Sequence, residues 1–411
     1  MNKPHLYTLI LFVIFTSQLI AQTNNALSSS PYSLYGLGST NDISTGTING
    51  LGGFGYAVSS NKFINGYNPA SFGSILSNSF LLDFGFKAQT NILKDGSDSS
   101  SNIIANFSNF ALAFPLTKKS GFGVTLTPYT SVGYEVNNIV SNIEGSNDVF
   151  YTNIEGFGGI SDLKLNYGYK LTDKIRLGLT TSVLFGQINQ TETNILPTTF
   201  LTIEEESNYS GFRLGFGLQY DILKNTSFGA TLNLPTSLSG DKTWILNDDV
   251  TTEYTDDISD FKLPLEIGAG FQTHFKKYFS LNFDYKKSFW NNTNQSDNLG
   301  NYIDQDFYGL GLQYAADKTR DGHFFKNLEY RAGFNYNNGN LEISNQRIDN
   351  YSLNLGIGIP LKRNRTNSML NVGYSYGTKG QVNNGLIKEN YHLLSINLSL
   401  EDIWFQKRKF Q

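Results

Sequence analysis

The 411-residue sequence has no cysteine, two methionines, nine prolines and only 16% charged residues. Without cysteine there is no disulfide framework, no thiolate-held zinc or iron–sulfur site, no thiol nucleophile and no acylated lipoprotein anchor. The charged fraction falls well below the roughly 25% of an ordinary soluble domain. A formal net charge of −4 gives no basic surplus for nucleic acid. Beyond the first residues there is no long hydrophobic run, and the mean hydropathy of −0.28 excludes a bundle of membrane-spanning helices. Catalytic signatures are missing too, with no phosphate-cradling Gly-Lys loop, no H-E-x-x-H and no EF-hand loop. After the N-terminal region the histidines are His274, His323 and His392, none beside a serine and a carboxylate in a catalytic order. The sequence therefore reads as a non-enzyme that needs no cofactor.

What is abundant is aromatic residues and glycine: 31 Phe, 24 Tyr and 40 Gly. The first residues form an address. Lys3 precedes an apolar core from Leu6 to Phe15, and Ile20-Ala21-Gln22 offers a cleavage site after Ala21. This core is too short to span a bilayer, so residues 1–21 read as a signal peptide. An exported chain with neither cysteine nor helical spans points to a Gram-negative envelope.

After residue 78 the sequence alternates with period two. Phe80, Leu82, Phe84 and Phe86 share one face, and Asp83, Gly85 and Lys87 the other. Near the C-terminus, Leu394, Ile396, Leu398 and Leu400 alternate with Ser395, Asn397 and Ser399. Runs such as Lys174 to Thr193 far exceed the five or six residues of a soluble strand. Such runs suit a transmembrane barrel with apolar side chains toward lipid and polar ones toward the lumen.

Fourteen strands are expected, near 79–91, 104–116, 120–136, 157–171, 174–192, 207–223, 225–240, 258–276, 277–292, 302–317, 326–341, 348–362, 366–380 and 387–401. Short connections should alternate with long, Asn/Asp/Ser-rich ones at 91–103, 137–156, 193–206, 241–257 and 293–301. The short turns carry Lys118, Lys119, Lys174, Lys224, Lys276, Lys277, Lys362, Arg363 and Arg365. The long loops carry Asp95, Asp98, Glu144, Asp148, Glu155, Glu204, Glu205, Glu206, Asp248 and Asp249. With an even count, both ends of the barrel lie on the short-turn, periplasmic side. The acidic stretch from Asp248 through Asp260 reads as a solvated loop or as oxygen ligands for calcium, which leaves any metal site unknown.

So wide a barrel leaves a lumen that is either a water channel or plugged. Residues 22–78 are the candidate plug. They carry Tyr32, Tyr35, Leu37, Leu51, Phe54, Tyr56, Phe63, Ile64 and Tyr67, too many apolar groups for a solvated linker. The division expected is therefore 1–21 signal peptide, 22–78 hatch, 79–401 barrel and 402–411 periplasmic tail. The fold class is all-β, a 14-stranded antiparallel transmembrane barrel with an N-terminal luminal hatch.

Three motifs in this region, Pro31-Tyr32-Ser33-Leu34-Tyr35-Gly36-Leu37-Gly38, Gly50-Leu51-Gly52-Gly53-Phe54-Gly55 and Asn68-Pro69-Ala70-Ser71, resemble the hatch of the FadL/OmpP1/TodX outer-membrane transporters. The ending Trp404-Phe405-Gln406-Lys407-Arg408-Lys409 resembles that of the Bacteroidota members. An Asn-Pro-Ala in a hatch also resembles the secretion protein PorV, which shares the fold. The resemblance implies a porin-like barrel in the cell outer membrane that takes up hydrophobic small molecules, such as long-chain fatty acids, and releases them sideways through a kinked third strand. Asn68, Pro69, Ala70 and Ser71 would be hatch residues and Pro128, inside the third expected strand, the lateral gate. Pro235 and Pro264 also fall within expected strands. No basic cluster that would receive a fatty-acid carboxylate is evident among the inward-facing residues. The alternative function is a non-transporting structural or adaptor barrel, PorV-like or an accessory subunit of an outer-membrane secretion or assembly complex. The expected partners are a hydrophobic small molecule or lipid, the outer-membrane lipids and, on the alternative, other outer-membrane proteins, with no nucleic acid.

Overall fold

Period-two alternation builds strands, and the strands close on themselves. The computed structural model describes residues 28–41, 46–96, 98–143, 145, 148–247, 252–295, 300–316, 324–361 and 367–403. The expected signal peptide, the 404–409 ending, Lys362, Arg363, Arg365, His323, Glu144, Asp248 and Asp249 lie outside the described residues.

The barrel strands are β1 (Ser79–Asp95), β2 (Asp98–Pro115), β3 (Ser120–Pro128 and Thr130–Asn142), β4 (Val149–Lys170), β5 (Ile175–Ile195), β6 (Phe200–Leu223) and β7 (Thr226–Asn233 and Thr236–Asn247). They continue with β8 (Thr252–Leu263 and Glu266–Phe275), β9 (Phe279–Ser288), β10 (Gln305–Ala315), β11 (Glu329–Asn337), β12 (Asn350–Pro360), β13 (Met369–Lys379) and β14 (Lys388–Ile403). Each pairs antiparallel with its sequence neighbour, and β1 closes the ring on β14 from Ser79↔Ile403 to Lys94↔Lys388. The result is a closed 14-strand antiparallel barrel. Ser79 and Ile403 mark its near end, and the β1–β2 hairpin turn lies at the far end.

Burial is inverted relative to a soluble protein. Phe84, Phe86, Leu394, Ile396 and Leu398 are exposed on the outer wall, whereas Asp83, Lys87, Ser395, Asn397 and Ser399 are buried inside. An apolar outer band and a polar interior are what a bilayer requires of a barrel. The protein is an outer-membrane barrel.

Four of the five connections expected to be long are mostly paired strand. The β1–β2, β3–β4, β5–β6 and β7–β8 ladders run out to Asp95↔Asp98, Asn142↔Val149, Ile195↔Phe200 and Leu246↔Thr252. The segments read as loops because their side chains turn polar, but an antiparallel ladder satisfies backbone groups whatever the side chains are. The expected acidic loop is likewise strand from Thr252 onward. Among the described residues, no group of three or more His, Cys, Asp or Glu could hold a metal.

Three strands are interrupted, each at a proline, which cannot donate to a ladder. The breaks fall at Pro128 in β3, Pro235 in β7 and Pro264 in β8. Those in β7 and β8 lie side by side, with Thr236 paired to Leu263. There Arg213 takes up freed carbonyls, donating from Nε to Leu234 O (2.8 Å) and from Nη2 to Pro264 O (2.6 Å). Its Nη1 meets Glu266 at 3.1 Å, so the buried guanidinium is both paired and hydrogen-bonded. At the Pro128 break Thr130 Oγ1 accepts from Ile160 N (3.1 Å) and Tyr129 N donates to Ile160 O (2.7 Å).

Candidate functional site: the N-terminal segment and the wall opening

Residues 28–41 and 46–78 lie against the inward faces of the strands, where Tyr32, Leu37, Ile48, Leu51, Phe54 and Phe72 are buried. The wall makes room by omitting side chains. Gly121, Gly168, Gly178 and Gly217 stand in register across β3, β4, β5 and β6. A Cβ on any of them would run into Phe72, Gly73, Ala70 or Asn68 respectively. On this glycine track lies a 3₁₀ turn, Pro69–Ser74, in which proline supplies the fixed φ of the first position.

Asn68 caps that turn and is fully buried. Its Oδ1 accepts from Ala70 N (3.1 Å), and its Nδ2 donates to Tyr56 O (2.7 Å) and to Leu218 O (3.0 Å) on β6. Ser71 Oγ donates to Asn65 O at 3.0 Å. The structure thus brings Asn68, Pro69, Ala70 and Ser71 together at one contact with the wall. A second contact lies three strands further along the wall, where Asp284 on β9 accepts from Gly55 N (2.8 Å) and Tyr56 N (3.0 Å).

The segment also meets the break in β3. The β2–β3 ladder runs from Pro115↔Gly121 to Phe110↔Leu126 and stops. Beyond Pro128, β3 stays on β4 from Val132↔Gly158 outward, while β2 from Asp98 to Asn109 stays on β1. Among the described residues β2 and the far half of β3 are not ladder partners, and a cavity of about 890 Å³ lies between them. Ser39 and Thr40 pair with Ser131 and Thr130, and Asn41 N donates to Tyr129 O at 2.9 Å. Ser33 Oγ accepts from Gly133 N (3.0 Å). The N-terminal segment thus adds backbone pairing to the wall's own bonds at the Pro128 break.

Two smaller cavities lie in the lumen. One of about 240 Å³ is lined mainly by polar groups, among them Ser30, Ser39, Asn41, Lys87, Lys379 and Glu389. There Lys87 Nζ donates to Asn41 Oδ1 (2.8 Å), Lys379 Nζ donates to Ser39 Oγ (3.1 Å), and Ser30 Oγ donates to Glu389. The other, of about 100 Å³, lies beside Pro128 and is lined by Lys164, Arg213 and Lys286 together with Asp162 and Glu266. Lys286 Nζ sits 4.5 Å from the centre of the Phe54 ring, within cation–π range. This cation group corrects the expectation that the lumen has no basic cluster. Its members come from β4, β6 and β9, far apart in sequence, so no local pattern announces it. Two of its three cations are also paired, Lys164 with Asp162 at 3.4 Å and Arg213 with Glu266.

The BamG family model matches residues 1–411. The chain belongs to the BamG family. No curated protein matches this chain. Among solved structures, the monoaromatic hydrocarbon channel CymD is 17% identical with a TM-score of 0.61, over 90% of this chain and 100% of that one. The toluene transporter TbuX of Ralstonia pickettii is 15% identical with a TM-score of 0.59, over 88% and 98%. A Pseudomonas aeruginosa FadL homologue is 13% identical with a TM-score of 0.61, over 89% and 100%. At these identities the likeness is one of fold. The resemblance to the FadL and TodX transporters therefore holds for the architecture, while the family that matches carries a different name.

Proposed function

We propose that this protein is a side-opening outer-membrane channel for hydrophobic small molecules, a long-chain fatty acid or similar compound. Residues 22–78 act as its hatch and Pro128 as the hinge of its lateral gate. The observation that carries this reading is the interruption of the β2–β3 ladder beside Pro128, at whose inner end Ser39 and Thr40 pair with Ser131 and Thr130. The likeness of fold to channels named for hydrocarbons and toluene supports it. On this reading the near end faces the periplasm and the protein is a non-enzymatic channel of the Bacteroidota type.

The absence of native cysteine makes a direct test possible. Ser39 and Ser131 are ladder partners, and antiparallel partners lie within disulfide reach. The Ser39→Cys/Ser131→Cys protein should lose at least tenfold in fatty-acid uptake when oxidised and recover on reduction. Equal uptake in both states contradicts hatch gating.

The second reading is a structural or adaptor subunit of an outer-membrane complex. The polar lining of the 240 Å³ luminal cavity favours it, because a site for an apolar tail is lined mainly by apolar side chains. Isolation from native membranes, with mass spectrometry of bound proteins and lipids, separates the two. A stoichiometric protein partner supports the subunit, and a bound apolar small molecule supports the channel.

A further inference from the structure

Four cations are buried among the described residues: Lys87, Arg176, Arg213 and Arg331. The three arginines each meet a carboxylate, Asp221 at 2.7 Å, Glu266 at 3.1 Å and Glu329 at 2.7 Å. Lys87 meets none among the described residues. Its Nζ donates to Asn41 Oδ1 at 2.8 Å, a neutral acceptor. The inward-facing acid on the same strand, Asp83, lies four residues toward the near end, where Asn109 and Ser399 donate to it. An ammonium has three donors, and burying it without a counter-ion is costly. A second unanswered donor stands beside it. Asn106 on β2 is the ladder partner of Lys87, and its Nδ2 is buried with no partner among the described residues.

Lys87 lines the 240 Å³ cavity together with Lys379 and Glu389. Lys379 and Glu389 are themselves ladder partners, at the far ends of β13 and β14. The cavity is thus left with one uncompensated positive charge, at Lys87. The wall opposite is amide and hydroxyl. Ser352 Oγ donates to Asn335 Oδ1 (3.0 Å) and Ser375 Oγ to Asn354 Oδ1 (2.6 Å). The Asn335 amide nitrogen has no acceptor among the described residues and remains to donate into the cavity. Ser30, Ser39 and Asn41 of the N-terminal segment complete the lining.

A chloride would answer Lys87 and leave the amides unused. A neutral sugar would answer the amides and leave Lys87 unpaired. A phosphate dianion would exceed the single charge. The volume is below the roughly 300 Å³ at which sites for drug-sized ligands begin, which suits a single sugar ring. We propose that this cavity binds a carboxylated monosaccharide, with the carboxylate on Lys87 and the hydroxyls on the Asn and Ser wall of β11 to β13. Charge fixes the orientation and the amides read the hydroxyls. Neither the channel nor the subunit reading gives the cavity an occupant.

Equilibrium dialysis of labelled glucuronate against the full chain, in nanodiscs of neutral phosphatidylcholine at neutral pH, tests this. Saturable binding is expected, with glucose and propionate each at least tenfold weaker as competitors. Lys87→Gln should weaken glucuronate binding at least tenfold while keeping a group that can donate to Asn41. Asn106→Asp should weaken it as much for a different reason, because cross-strand partners lie close enough for the new carboxylate to occupy Lys87. Unchanged heat-modifiable migration controls for folding of both variants. Absence of saturable glucuronate binding overturns the proposal. So does binding that a folded variant leaves unchanged, or that glucose or propionate matches.

Discussion

Gly217 on β6 faces the Asn68 side chain so closely that a Cβ there would overlap Asn68 Oδ1. The next carbonyl along the strand, Leu218 O, accepts from Asn68 Nδ2 at 3.0 Å. The missing side chain and the amide are two halves of one contact that fixes the N-terminal segment to the wall. Asn68→Ala removes the donor and leaves the Tyr56 and Leu218 carbonyls without that partner, at a cost of about 1–3 kcal/mol. Gly217→Val should be worse, since the wall backbone cannot retreat. Both variants should release the segment first. Limited proteolysis should cut before Ser79 while the barrel keeps its heat-modifiable migration. Simultaneous loss of segment and barrel would contradict a separable contact.

Arg213 makes a prediction about the barrel itself. It bridges two proline breaks and pairs with Glu266. Arg213→Met strands a buried carboxylate and two carbonyls, which should cost about 3–5 kcal/mol. Arg213→Met with Glu266→Gln should cost less than the sum of the single changes, because the second removes the charge the first left unpaired. Denaturant unfolding of the reconstituted protein measures both, and strict additivity would show that the pair is not coupled.

Orientation follows from parity and charge. Tags inserted near Lys118 or Lys174 should be inaccessible on intact cells, and tags near Asp98 or Glu205 accessible. Surface labelling at Lys118 would invert the topology.

Pro128 is expected to matter through its missing N–H. Pro128→Thr restores an N–H on the edge facing β2, where the β2–β3 ladder now stops at Phe110↔Leu126, and should slow uptake of a hydrophobic substrate without unfolding the barrel. Unchanged uptake would remove Pro128 from the gate.

Much of this architecture is legible in the chain because period two is a local signal. The alternation around Phe84 and around Ile396 sets both the strand and its face, and counting such runs recovers the barrel. Proline marks the strand breaks for an equally local reason. What is not legible is set by register. The glycines at 121, 168, 178 and 217 form a track only once four strands are aligned. The Lys164, Arg213 and Lys286 group likewise needs three strands. From Asn91 to Ile103 a polar hairpin arm has the composition of a loop but stays in the ladder. Asn68-Pro69 announces a turn, yet its hydrogen bond to Leu218 reaches across 150 positions of sequence.

If the N-terminal segment blocks the lumen, planar-bilayer conductance will separate the full chain from a variant lacking residues 22–78. The full chain should be non-conducting, and the deletion variant should form stepwise, sugar-permeable channels. A deletion variant that inserts, keeps its heat-modifiable migration and is as tight as the full chain would contradict it.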